Sequence, residues 1–154
     1  MKPLLATVFS LMLAGLFCLS GCNNASRLLA TGLEIELTGI ERESDGSVAV
    51  SWQIRNTNIV PYLLSQVNHK VQLNGTSLGT ITEKEALALP ANSHGGRTSK
   101  LTHVDANANR VLAEAIAAGS GNYRIDSQIT VLIYDDNDEK SVLANSGTVK
   151  VTAK

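Results

Sequence analysis

Val48, Val50, Trp52 and Ile54 alternate without a break with Ala49, Ser51, Gln53 and Arg55. A period of two puts the first set on one side of an extended chain and the second on the other. A helix would scatter both sets around its axis, so this stretch folds as a half-buried strand. The same alternation precedes it, with Leu33, Ile35 and Leu37 against Glu34, Glu36 and Thr38. Ile40 falls out of phase after Gly39, which predicts a bulge. Ser44-Asp45-Gly46-Ser47 between the two stretches has turn chemistry, so strands 33–42 and 47–55 are expected to form a hairpin.

Further along, Val67, His69, Val71 and Leu73 alternate with Asn68, Lys70 and Gln72, and Asn74-Gly75 follows. That dipeptide is the favoured type I′ hairpin pair, so 76–81 is expected to return as a strand. Within 82–91, residues 83–89 have helical propensity but are few and stop at Pro90, so the stretch reads as an exposed loop leading into a short strand at 86–89. Ser93-His94-Gly95-Gly96 reads as a turn, with a strand over 97–104. Residues 105–118 carry Val111, Leu112, Ala115 and Ile116 at helical spacing, with Asp105 or Asn107 as cap and Gly119 as stop. Ser120-Gly121-Asn122 reads as a loop, 123–134 as a long strand with Ile125, Ile129, Val131 and Ile133 on one face, and 141–151 as the closing strand. The fold expected is mostly β: an antiparallel β-sandwich of about seven strands with one crossover helix.

The first 21 residues follow a different logic. Lys2 supplies a positive start, and Leu4–Leu19 is apolar and uncharged. It is short against the roughly 20 residues of a bilayer-spanning helix and suits the apolar part of a signal peptide. Leu19-Ser20-Gly21-Cys22 follows directly and resembles the lipobox of bacterial lipoproteins at all four positions. The resemblance implies cleavage between Gly21 and Cys22, with diacylglycerol on the Cys22 thiol. Residues 1–21 would then be removed, 22–32 would form a lipidated tether, and 33–154 the folded domain. Asn23 is not the Asp that marks inner-membrane retention in the enteric sorting pattern. The expected address is therefore the periplasmic face of the outer membrane, where the organism has one.

Cys18 lies in the removed segment and Cys22 would carry lipid, and these are the chain's two cysteines. No thiol is left for a disulfide, a nucleophile or a metal, so an apolar core must stabilise the domain. Its length suffices for one such core. With 13 Lys and Arg against 14 Asp and Glu, interleaved along 154 residues, the charge gives no reason to expect nucleic acid as a partner.

Few motifs point to chemistry. His69, His94 and His103 lack the i, i+4 spacing of a helical zinc motif. His69 shares a face with Val67 and Val71 and reads as a hydrogen-bonded core residue. No Gly-x-Ser-x-Gly elbow is present, and a hydrolase would need a convergent Ser/His/acid cluster near His69 or His103. Asp135-Asp136-Asn137-Asp138-Glu139 concentrates oxygen ligands but lacks the order of a calcium loop, so it reads as a solvated hairpin tip. Trp52 reads as core. No metal, cofactor or catalytic residue is expected, and the chain is not expected to be an enzyme.

From Leu33 to Val151 several marks occur in a telling order. Trp52-Gln53-Ile54-Arg55-Asn56-Thr57-Asn58 ends a strand, Pro61-Tyr62-Leu63-Leu64 follows, then Val71-Gln72-Leu73-Asn74-Gly75, Leu89-Pro90-Ala91-Asn92, Tyr123 and Ile125, and Ser146-Gly147-Thr148-Val149. This resembles the late-embryogenesis-abundant group 2 family, also called the water-stress and hypersensitive-response (WHy) domain. The resemblance implies a seven-stranded sandwich similar to immunoglobulin or fibronectin type III domains and an association with desiccation and osmotic stress, without catalysis. Asn56, Asn58, Pro61, Asn74 and Gly75 then read as fold-forming positions. Thr57 stands where the family has Pro, which implies a softer bend. On this reading the protein is a non-enzymatic membrane-anchored lipoprotein of the stress response, holding the membrane through its N-terminal lipid. The alternative is an envelope adaptor for a protein partner, docked through a sheet edge or the helix.

Overall fold

The computed structural model describes residues 31–104, 107–133 and 137–154. The signal segment, Cys22, most of the tether, Asp105 and Asp135-Asp136 lie outside them. Eight strands and one helix follow in the order β1 (Leu33–Arg42), β2 (Val48–Asn56), β3 (Tyr62–Leu73), β4 (Thr76–Glu83), β5 (Leu87–Leu89), β6 (Ser93–Lys100), α1 (Ala108–Ala118), β7 (Ser120–Ile133) and β8 (Asn137–Ala153). The domain is mostly β, as expected.

Hydrogen bonding joins the strands into one mixed sheet in the order β4-β3-β7-β8-β1-β2-β6, with β5 paired to β3. β1 and β2 form the expected hairpin, and the register slips between Leu37 and Gly39, where the alternation broke. The sheet is not wholly antiparallel. β8 runs antiparallel to β7 along its length and then pairs in parallel with β1 through Ile40–Arg42 and Val151–Ala153. Because β8 is 17 residues long, it outlasts β7 and reaches across to β1. The sheet curls until its two ends approach. Thr80 of β4 and Thr102, just beyond β6, exchange N–H···O bonds of 2.9 and 2.8 Å.

The core fills the inside of this curl. Ile35, Ile40, Val50, Trp52, Ile54, Leu64, Val71, Leu73, Ile125 and Ile129 are among its buried residues. Trp52 of β2 meets His69 of β3 edge-to-face, with ring centroids 4.5 Å apart, so the two arms of the sheet pack against each other. Helix α1 buries Val111, Leu112 and Ala115, and Gly119 ends it at φ 75°, as its sequence implies. Its first residue is Ala108, with Asn107, one of the two caps that the sequence offers, at the N-cap position.

Three other expectations need correction. Ser93-His94-Gly95-Gly96 is strand, not turn: it pairs with Asn56, Arg55, Ile54 and Gln53. A Cβ on Gly96 would fall 2.2 Å from the Trp52 carbonyl oxygen, so the glycine there permits close strand approach. Ser120-Gly121-Asn122 is also strand, paired with Lys150, Val149 and Thr148. The acidic stretch is not all tip, because Asn137, Asp138 and Glu139 already pair with Ile133, Leu132 and Val131.

The Asn74-Gly75 turn is as the sequence predicts, with φ 48° and 79°. Asn74 Oδ1 also accepts the Asn122 N–H at 2.9 Å. A Cβ at Gly75 would meet nothing within 4 Å, so only backbone strain opposes substitution. Gly75→Ala is expected to cost ~1 kcal/mol, the left-handed penalty of an L-residue, read as a lowered thermal midpoint. An unchanged midpoint would contradict the turn geometry.

Candidate functional site

The alternation of β2 continues one step past Ile54 and carries Asn56 inside, where it is fully buried. A buried amide must find partners for its donors and acceptor. Asn56 Nδ2 donates to the carbonyls of Val60 (2.9 Å), Pro90 (3.0 Å) and Leu89 (3.2 Å), and its Oδ1 accepts the Asn58 N–H at 2.9 Å. One side chain therefore holds the 57–61 bend, the exit of β5 and the end of β2 together.

The next two residues secure the point where the chain enters the domain. The Thr57 N–H and hydroxyl both donate to the Gly32 carbonyl, at 2.8 and 3.0 Å. Asn58 Nδ2 donates to the Thr31 carbonyl at 3.0 Å, and the Asn58 carbonyl accepts the Asn92 N–H at 3.0 Å. Gly32 has φ 85°, and a Cβ on it would lie 2.6 Å from Asn58 Oδ1. A proline at 57 has no N–H to give Gly32. Thr57 thus replaces a fixed φ with two hydrogen bonds, and the bend is braced where the sequence implied it would be softer. Pro61 sits exposed just ahead of β3.

Polar residues on the inward faces form a second cluster. His69 Nδ1 and Ser127 Oγ are 2.7 Å apart, and each residue is 1% exposed. Among the described residues His69 Nε2 finds no hydrogen-bond partner. Burial pushes the His69 pKa down from 6.5 to about 4, so the ring is neutral near pH 7. Trp52 Nε1 donates to Ser99 Oγ at 3.1 Å, and Ser99 in turn donates to Glu83. Arg97 bonds Glu85 at 3.0 Å and the Ala86 carbonyl at 2.9 Å. The His–Ser pair has the composition of a nucleophile with its base, but both members lie against core side chains.

His94 and His103 are exposed, His94 on β6 opposite Arg55 and His103 in a bend after β6 at φ 52°. The structure does not bring the three histidines together, and among the described residues no group of three or more His, Cys, Asp or Glu is placed to hold a metal ion. The sequence pointed to Asn56 and Asn58 by resemblance but not to their partners. Ser99 and Ser127 were missed. Continuing the two-residue period would have found them, since Ser127 falls inward between Ile125 and Ile129.

One groove is formed where strands part. Below their short parallel pairing, β1 and β8 diverge around a groove of about 510 Å³ lined by Leu33, Ile35, Leu143 and Asn145 among others. Asn145 Nδ2 spans the gap to the Ile35 carbonyl at 2.7 Å.

No family model and no curated protein matches the chain. Solved structures do. A solution structure of an Arabidopsis thaliana protein is 10% identical, covers 79% of this chain and 79% of its own, and has a TM-score of 0.51. A solution structure provisionally described as a late embryogenesis abundant protein is 13% identical, covering 96% and 85%, with a TM-score of 0.48. A crystal structure from Archaeoglobus fulgidus is 15% identical, covering 78% and 95%, with a TM-score of 0.44. At such identities the Arabidopsis match speaks for the fold alone.

Proposed function

We propose that this chain is a lipoprotein whose β-domain, held to the envelope by lipid on Cys22, acts without catalysis in the response to drying and osmotic stress. The observation that carries the reading is the Asn56–Thr57–Asn58 bend. The residues that resemble the water-stress family's motif are the ones that bind Thr31 and Gly32, where the tether joins the domain. Signal segment 1–21, tether 22–32 and domain 33–154 follow from the lipobox, with the outer membrane as the address in an organism that has one. We take the architecture as the family's immunoglobulin-like sandwich, β1-β2-β6 facing β4-β3-β7, and the Trp52–His69 contact supports this. The His69–Ser127 pair we read as a core hydrogen bond, because both residues are 1% exposed.

The test is fractionation with mass spectrometry. Wild type is expected in the membrane fraction, cleaved before Cys22 and diacylated there, and Cys22→Ser without the acyl mass and with residues 1–21 still attached. A wild-type mass without diacylglycerol on residue 22 would defeat the anchor. A deletion strain is expected to lose viability after drying, restored by the wild-type gene, and unchanged survival would defeat the stress role.

The second reading is an envelope adaptor. The groove between β1 and β8 favours it, since an extended segment of a partner could add to either strand there. One stoichiometric partner in cross-linking would favour the adaptor, and diffuse contacts the protectant.

A further inference from the structure

Scattered exposed apolar side chains are normal, and Val104 and Val142 are of that kind, but Ile59, Val60, Leu63 and Leu132 gather at one end of the domain. Ile59 is 86% exposed and Val60 47%, side by side at the crest of the 57–61 bend. Leu63 and Leu132, cross-strand partners on β3 and β7 just above, are 42% and 39% exposed. The bend is not loose, because Asn56 holds the Val60 carbonyl and the Asn58 N–H. It is also the point that binds Thr31 and Gly32. The remaining chain back to Cys22 is short: nine residue steps extend at most about 30 Å. Whatever surface receives a lipid on Cys22 therefore lies within about that distance of Thr31, which Asn58 holds beside the bend.

We propose that the 57–61 bend, through Ile59 and Val60, seats in the interfacial layer of a phospholipid bilayer as a second, apolar contact beside the lipid on Cys22. This rests on the lipoprotein reading above. The contact is apolar rather than electrostatic. Arg55, next to the bend, is already paired with Glu34 at 2.8 Å, and Asp138 is exposed opposite Leu132. Two points of attachment orient a domain where one leaves it free to swing. The end bearing α1, the Asn74-Gly75 turn and the 43–47 turn then faces away from the membrane.

The test uses the mature lipidated protein, beginning at acylated Cys22, in phosphatidylcholine vesicles. With Cys18 removed and Cys22 acylated, a single introduced cysteine is the one site for an environment-sensitive fluorophore. The label on Ile59→Cys is expected to show blue-shifted emission, quenching by bilayer nitroxides and no response to salt. The label on Glu114→Cys, on α1, is expected to remain aqueous. Ile59 is 86% exposed, so its replacement leaves the core untouched, and the far-UV spectrum checks this. An aqueous Ile59 label on protein whose mass shows acylated Cys22 overturns the bend contact and leaves the lipoprotein reading intact. A shift abolished by salt overturns its apolar character. A free Cys22 thiol overturns both readings together.

Discussion

Asn56→Asp is expected to destabilise the domain by about 3–5 kcal/mol at pH 7, the range for a buried charge left without compensation. The substitution keeps the shape and the acceptor that receives the Asn58 N–H, but removes the amide donors. A carboxylate then faces the carbonyl oxygens of Val60, Leu89 and Pro90 with nothing to offer them. Burial and those oxygens raise the carboxyl's folded pKa above its unfolded value of about 3.9. The variant's deficit is therefore smallest below that value, where the group is protonated in both states, and grows as pH rises through the folded pKa. Urea midpoints of wild type and variant at pH 3 and pH 7 measure both the size and the slope. A midpoint difference at pH 7 worth under about 0.5 kcal/mol, the scatter of surface substitutions, would show that Asn56 does not brace the bend.

His69 supplies the second large effect, and it needs no mutation to appear. Its folded pKa of about 4 lies below the unfolded 6.5, so between these values the unfolded chain binds more protons. Stability from the neutral ring is complete above 6.5 and falls away as pH drops to about 4, a loss of about 3 kcal/mol. The cause is physical: an imidazolium inside the curl would be desolvated, with no partner for Nε2 among the described residues and Trp52 against the ring. Carboxylates titrate at the lower end of this window, so the comparison is with His69→Leu/Ser127→Ala, which removes both ends of the 2.7 Å contact. Wild type is expected to lose stability more steeply than the double variant between pH 6.5 and 4. Parallel slopes would mean that His69 is solvated or paired on acidification.

Together the two residues show why the same sequence rule served some positions better than others. The two-residue period located the inward faces of β1, β2 and β3 and, carried further, would place Asn56, Ser99 and Ser127 inside as well. It does not say which buried polar group meets which. Asn56 finds Leu89 and Pro90 from 33 and 34 residues away, and His69 finds Ser127 from 58. The glycines misled for a related reason. Gly95 and Gly96 have turn composition, yet they serve a strand that lies close against Trp52 and Gln53. At Thr57 the lack of a proline's fixed φ implies a soft bend, yet the Thr57 N–H and hydroxyl hold Gly32.

By itself the amino-acid order determined what is local: the alternation that makes strands, the bulge after Leu37, the Asn74-Gly75 turn and the stop at Gly119. These depend on neighbouring residues and on backbone sterics, which a linear string contains. Only the tertiary structure decided that β8 would outrun β7 to join β1 in parallel, that Thr80 and Thr102 would draw the curl together, and that Ile59 would stand beside the chain leading to the tether. Such outcomes depend on strand length, curvature and distant partners acting at once, and no window of sequence holds all three.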